Sequence, residues 1–194
     1  MRCLTSQEVE RMFGTLGFKV SPEHAWYRRE LVLDHAIADR QTRIAARPTL
    51  NVERLNYFIV ALIRWLPTNR GRLLWVEHYE TYYPSLHDSF VAVRAGLGEK
   101  RSLDDAPGHY FEPHDYEQED QTEILPAHAA DVDIMVGLIS LLMAGDWDAW
   151  VIADSCVDRI EFWEGNIFFY SEDQSRIARA EALLQTFNCS RELA

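Results

Sequence analysis

Arg159-Ile160-Glu161-Phe162-Trp163-Glu164-Gly165-Asn166-Ile167-Phe168-Phe169-Tyr170-Ser171 reads as two strands around a tight turn. Aromatic and β-branched residues crowd both arms, and such residues suit the pleated, half-buried surface of a sheet. Gly165-Asn166 predicts a type II′ hairpin, in which glycine takes the first central position. Side chains alternate across a strand, so Phe162, Trp163, Phe168, Phe169 and Tyr170 cannot all face one core. Either both faces of the sheet are covered, the favoured reading, or some of the cluster is exposed and binds something. Just upstream, Trp147-Asp148-Ala149-Trp150-Val151-Ile152 supplies another strand. Just downstream, Asp173 caps a final helix whose Ile177, Ala180, Leu183, Leu184 and Phe187 share one side.

Helical periods dominate the chain before this tract. Thr5 and Glu8 have capping-box spacing ahead of Val9, Met12, Phe13 and Leu16, and Gly17 can end that helix. Ser21-Pro22-Glu23 predicts the start of a second helix running to about Arg47, before Pro48. Asn51 caps a third, with Val52, Leu55, Phe58, Ile59, Leu62, Ile63 and Leu66 at three- and four-residue intervals. Arg72 to Tyr83 reads as a strand, and Ser85 with Asp88 opens a short helix to Gly98. Residues 99–125 read as an acidic loop, and a connection of that length is usually functional or mobile. Pro126 starts a helix that is apolar on nearly every side from Val132 to Met143, so it should be the most buried one. These elements predict an α+β fold: helices packed on an antiparallel sheet of about four strands, closed by a C-terminal hairpin and a final helix. The chain reads as one domain, 1–194, with a helical region over residues 1–67 and an α+β region over residues 68–194.

The chain has 194 residues, 47% of them hydrophobic and 12% aromatic. That richness excludes general disorder. The longest apolar run, Ile134 to Gly145, is too short for a membrane span of about 20 residues. The first residues turn acidic before any apolar stretch, unlike a secretory signal. Three widely spaced cysteines, Cys3, Cys156 and Cys189, fit a reducing compartment, and the expected location is cytoplasmic.

The formal net charge is −12, and it is segregated. From Ser102 to Asp158 there is no lysine or arginine, against fourteen acids. Some have local purposes, as with Asp131 and Asp133 at a helix start or Asp146, Asp154 and Asp158 in strand-edge turns. Asp104, Asp105, Glu112, Asp115, Glu117, Glu119, Asp120 and Glu123 have none, which makes them candidate partner-binding residues. Phosphates and anionic membranes would be repelled, and a basic protein would be attracted. Neither nucleic acid nor membrane is an expected partner.

Signals for catalysis are sparse. There is no Gly-x-Ser-x-Gly elbow, no phosphate-binding glycine loop, no Cys-x-x-Cys and no His-Glu-x-x-His, and no cofactor is expected. His109, Glu112 and His114, with Asp115 beside them, are candidate metal ligands, since two imidazoles and a carboxylate could hold a divalent ion. A solvated charged loop is the plainer reading of the same residues. His78 and Glu80 share a strand face, with His87 and Asp88 nearby, as a general base and its orienting carboxylate would require. Alternating polar residues on an exposed strand explain them as well. Cys156 lies among acids that would raise its pKa and blunt it as a nucleophile.

The tract Trp147 to Ile152, then Ile160-Glu161-Phe162-Trp163 and Phe168-Phe169-Tyr170, resembles the closing strands of bacterial immunity proteins from polymorphic-toxin and contact-dependent systems. The resemblance covers residues 126–187. It implies a small cytoplasmic α+β protein that neutralises a toxin by stoichiometric binding, without catalysis. The expectation is then a non-enzymatic protein that engages a basic partner through its acidic residues and anchors it on Trp163, Phe168 and Tyr170. Alternatives are a metal-dependent hydrolase built on His109, Glu112 and His114, and a homo-oligomer that buries its aromatics against a second copy.

Overall fold

The computed structural model describes residues 1–21, 30–49, 51–67, 70–78, 84–113 and 129–191. Their elements are β1 (Arg2–Leu4), α1 (Ser6–Phe13), β2 (Phe18–Val20), β3 (Leu31–Leu33), α2 (His35–Ala38), β4 (Thr42–Arg47) and α3 (Val52–Trp65). There follow β5 (Arg72–His78), α4 (Pro84–Gly96), β6 (Gly108–Phe111), α5 (Ala129–Ala144), β7 (Asp148–Ala153), β8 (Arg159–Trp163), β9 (Asn166–Ser171), α6 (Gln174–Thr186) and β10 (Ser190–Arg191). The fold is α+β. Its main sheet has eight strands in the order β1-β6-β5-β7-β8-β9-β4-β10, with every pair antiparallel, and β2 and β3 form a second, two-stranded sheet.

Strand alternation sorts the core into two. Leu74 pairs with Val151, Val151 with Ile160, Ile160 with Phe169, and Phe169 with Ile44, one row of a single face. Helices α3, α5 and α6 cover that face through Phe58, Ile59, Leu62, Leu138, Leu142, Ala180 and Leu184, all buried. Phe169 is fully buried with its ring edge-on to Trp65, centroids 5.1 Å apart. The opposite face carries the row Trp75, Trp150, Glu161, Phe168, Ala45 and, beside it, the row Leu73, Ile152, Arg159, Tyr170, Arg43. Helix α1 and the β2–β3 hairpin cover the first strands of this second face, through Val9, Phe13, Phe18, Leu31 and Leu33.

Most local signals act as expected. Thr5 accepts from the Glu8 N–H while the Glu8 carboxylate accepts from the Thr5 N–H, a complete capping box on α1. Gly17 (φ 91°) closes the turn after α1 in the left-handed region. Asn51 caps α3 through the Arg54 N–H, and Asp173 caps α6 through the Ser175 N–H.

Four expectations are corrected. The helix read from Ser21 to Arg47 is replaced by β3, α2 and β4; residues 22–29 lie outside the described set. Its apolar residues never kept a helical stripe, and β4 gains a full antiparallel ladder with β9, so non-local pairing overrides local pattern. The N-terminal third, residues 1–67, is therefore mixed α and β rather than helical. The acidic loop of 99–125 contains β6, which lies between β1 and β5 in the sheet. Among the described residues the sheet has eight strands rather than about four, the additions being short strands whose partners lie far away in the chain. Finally, Trp163 pairs with Asn166, so the turn is Glu164-Gly165, with φ of 49° and 74°. Two positive φ values make it type I′.

Candidate functional site

The cleft lies on the second face, where the β2–β3 hairpin stops short of β8. It has a volume of about 880 Å³, within the roughly 300–1,000 Å³ usual for ligand clefts. One wall is β3 and the start of α2, from Glu30 to His35. The floor is Trp150, Arg159 and Glu161, and the far rim is Trp163 and Glu164 with Asp146 and Asp148. Six carboxylates line it, from Glu30, Asp34, Asp146, Asp148, Glu161 and Glu164, together with the half-buried Glu77, against Lys19, Arg159 and His35. The cleft is therefore acidic. Trp163, 49% exposed, gives its rim an apolar plate, and Val32 is also exposed.

Glu77 sits where the β5–β7 register shifts between Val76 and His78, a bulge. Its Oε1 accepts the Leu31 N–H at 2.7 Å and so ties the hairpin wall to the main sheet. Desolvation pushes its carboxyl up to about 8, the Leu31 N–H pulling it down and Glu161, Glu30 and Asp148 pushing it up further. At neutral pH Glu77 holds a proton.

Arg159 is 6% exposed and lies on the floor. It donates to the Gln41 carbonyl oxygen and stacks 3.7 Å from the Tyr170 ring centroid and 4.9 Å from that of Trp150. Gln41 in turn donates to the Val157 carbonyl at 2.7 Å, which fastens the α2–β4 turn to the β7–β8 loop. Tyr170 donates to Glu161 at 2.5 Å, and burial with that bond raises its hydroxyl to about 12. The floor is thus a fixed polar network rather than a set of solvated side chains.

Among the described residues expected to bind a partner, Trp163 is the one at the cleft mouth. Phe168, 6% exposed, lies under Arg43 and beside Trp163, so it is corrected from exposed anchor to core. Tyr170 is half-buried and committed to Arg159 and Glu161. Asp104 and Asp105 are exposed on the turn before β6, where Asp105 accepts from the Ser102 hydroxyl at 2.7 Å. Glu112 is exposed beyond the other end of the same strand. Four strand residues separate them, so these three acids do not make one patch. Asp115, Glu117, Glu119, Asp120 and Glu123 lie outside the described residues.

The metal reading loses its first ligand. His109 is fully buried in β6, with Nδ1 3.3 Å from the Leu74 carbonyl and its ring edge-on to Phe90 at 5.4 Å. Desolvation, with the Arg94 charge nearby, lowers its pKa to about 3. Its position, three residues before Glu112 on an extended strand, would send the two side chains to opposite faces. His114 lies outside the described residues. Among the described residues no group of three or more His, Cys, Asp or Glu side chains is placed to hold a metal ion. Of the general-base candidates, Glu80 lies outside the described residues, and His87 neighbours Asp88 at 3.6 Å at the start of α4. Among the described residues no helix is long and apolar enough to cross a membrane.

The sequence reading missed the cleft acids because they come from β3, β5, β7 and β8, and no spacing connects those strands. A signal was present in the alternation of Glu161 and Trp163 on β8, which places both on the face opposite Phe162. Comparison with family models, with curated proteins and with solved structures gives no match.

Proposed function

We propose that this chain is a non-enzymatic binding protein that neutralises a basic protein, of the kind a toxin would be, by stoichiometric occlusion. The observation that carries this reading is the pairing of a concave acidic cleft with a half-exposed tryptophan on its rim. Carboxylates from the flanks of β3, from β7 and from β8 and the turns beside them steer a cationic surface toward the cleft, and the indole of Trp163 supplies apolar area at its edge. The floor favours binding over turnover: Arg159, Tyr170 and Glu161 are spent on one another, and the protonated Glu77 is spent on a backbone N–H.

The surface differs from the one read from sequence. Among the described residues the acidic face is assembled by the sheet and its flanks rather than by Asp104, Asp105 and Glu112. The test is capture of the partner from the source cells, followed by titration of the purified pair. A basic protein bound one to one is expected, with affinity falling at least tenfold between 0.05 and 0.5 M NaCl and again in Glu30→Lys plus Glu164→Lys. Trp163→Ala should weaken it by about 2 kcal/mol. Affinity indifferent to salt and to both charge reversals refutes the reading.

A further inference from the structure

We infer that a second cavity, on the helix-covered face of the sheet, binds a free α-amino acid with an apolar side chain. This goes beyond the partner reading above and rests on a different part of the molecule. The cavity has a volume of about 250 Å³ and lies where the start of α3 and the C-terminal end of α5 meet the β8–β9 turn. Leu55, Leu142, Met143, Phe162 and Ile167 form its walls. Phe162 pairs with Ile167 across the hairpin and both belong to the first core, so the cavity opens on the face opposite the acidic cleft. Its volume falls below the roughly 300–1,000 Å³ of clefts that take drug-sized ligands, and it suits a molecule with a single apolar side chain.

The mouth carries one charge of each sign. Arg47, at the end of β4, and Asp146, between α5 and β7, both line it and are both exposed. Among the described residues neither side chain makes an ion pair or a hydrogen bond. They flank the same turn residue: a Cβ at Gly165 would lie 3.2 Å from the Arg47 guanidinium and 2.9 Å from the Asp146 carboxylate. Glycine there, at φ 74°, leaves the gap between the two ions open. Ala144, the last residue of α5, also lines the mouth, and among the described residues nothing donates to its carbonyl. A helix C-terminus favours a cation beside it. In the wall, Asn166 Oδ1 is buried without a hydrogen-bond partner, an acceptor that calls for a donor. Together these groups specify a zwitterion. An ammonium fits Asp146 and the end of α5, a carboxylate fits the Arg47 guanidinium, and an aliphatic or benzyl side chain fits between α3 and α5. A fatty acid would satisfy Arg47 but set its carboxylate beside Asp146, and an uncharged apolar ligand would leave both ions without a partner.

The probes are L-leucine, L-phenylalanine, glycine, and the N-acetyl and amide derivatives of whichever apolar amino acid binds more tightly. Each is titrated into the full chain by calorimetry, with amide resonances followed in parallel. Leucine or phenylalanine is expected to bind one to one with a dissociation constant of about 1 mM or below, and to shift the Gly165 amide and the Asn166 side-chain amide. Glycine lacks the side chain, the N-acetyl derivative lacks the ammonium and the amide derivative lacks the carboxylate, so each should bind at least fivefold more weakly. Arg47→Gln and Asp146→Asn should each weaken binding at least fivefold. Asparagine tolerates the positive φ of 51° at position 146, and circular dichroism checks that both variants fold. If neither amino acid binds at 20 mM, the inference is overturned. It is overturned as well if both derivatives and both variants bind within twofold of the parent, since the crevice would then take apolar matter without reading the zwitterion. Shifts confined to Leu33, Glu77 and Glu161 would put the ligand in the acidic cleft and overturn this site too. The partner reading is tested separately, through Glu30 and Glu164, and does not stand or fall with these outcomes.

Discussion

Replacing Glu77 by glutamine should stabilise the protein at neutral and alkaline pH and leave it unchanged in acid. Glutamine keeps an oxygen for the Leu31 N–H, so the tie between β3 and β5 survives, but it cannot ionise. The wild-type carboxyl titrates near 8 in the fold against an ordinary 4.5. Between those values the folded chain holds a proton that the unfolded chain has released. Stability therefore falls as pH rises from 4.5 to 8, levels off above 8, and carries no penalty below 4.5. At pH 7 that displacement corresponds to about 3 kcal/mol at 1.36 kcal/mol per pKa unit. Glu77 keeps some of its surface in the cleft, so solvent screening brings the expected gain to about 2 kcal/mol. Urea unfolding of both proteins at pH 5, 7 and 8.5 measures it. With a slope of about 2 kcal/mol per molar, the midpoint of Glu77→Gln should exceed wild type by about 1 M at pH 7 and by less than half that at pH 5. A midpoint difference that is the same at pH 5 and pH 8.5 would show that Glu77 is ionised throughout, and the desolvation argument would fail.

Phe169→Ala should cost about 3–5 kcal/mol, because it opens a cavity where β9 meets Trp65 of α3, and thermal unfolding followed by circular dichroism reads this directly. Trp163→Ala, at a half-exposed rim position, should change stability by about 0.5 kcal/mol or less in the same assay. Arg176→Ala should cost about 3 kcal/mol in urea unfolding. It removes the 3.0 Å ion pair to Asp158, which is 7% exposed, and the 2.9 Å bond to the Trp65 carbonyl. Cys156 should resist thiol reagents at pH 7.5, since burial and the Asp158 charge raise its thiol to about 11. In a Cys3→Ala plus Cys189→Ala background, reaction of Cys156 with a disulfide reagent is expected only after unfolding, and a rapid phase in the native protein would contradict that burial.

Residues 147–187 could be read almost element by element because their pairings are local. β8 meets β9 across a two-residue turn, and β7 meets β8 across a short one, so alternation and turn chemistry suffice. Even there, the turn type shifted by one residue, because a type I′ turn tolerated Glu164 at positive φ. The caps at Thr5, Asn51 and Asp173 were equally legible, each being a contact over two or three residues. β4 and β6 were not, since each is held by strands far away in the chain. Thr42–Arg47 carries two arginines and two alanines and becomes a strand through β9. His109 looked like a ligand in a charged loop and is a core residue because β1 and β5 enclose its strand.

The amino-acid sequence by itself determined the α+β class, the position of helix α5, the terminal hairpin and helix, and the net charge of −12. Periodicity, capping and composition act over a few residues or over the whole chain, and both scales can be read directly. Only the tertiary structure decided where that charge is usable. The cleft takes Glu30 from β3's flank, Glu77 from a bulge in β5, Asp148 from β7 and Glu161 from β8, and it leaves Asp104, Asp105 and Glu112 at separate places. Strand order and the offset of the small hairpin over the large sheet bring those carboxylates together. That order is set by which long-range pairings bury the most apolar surface, a comparison no local pattern contains.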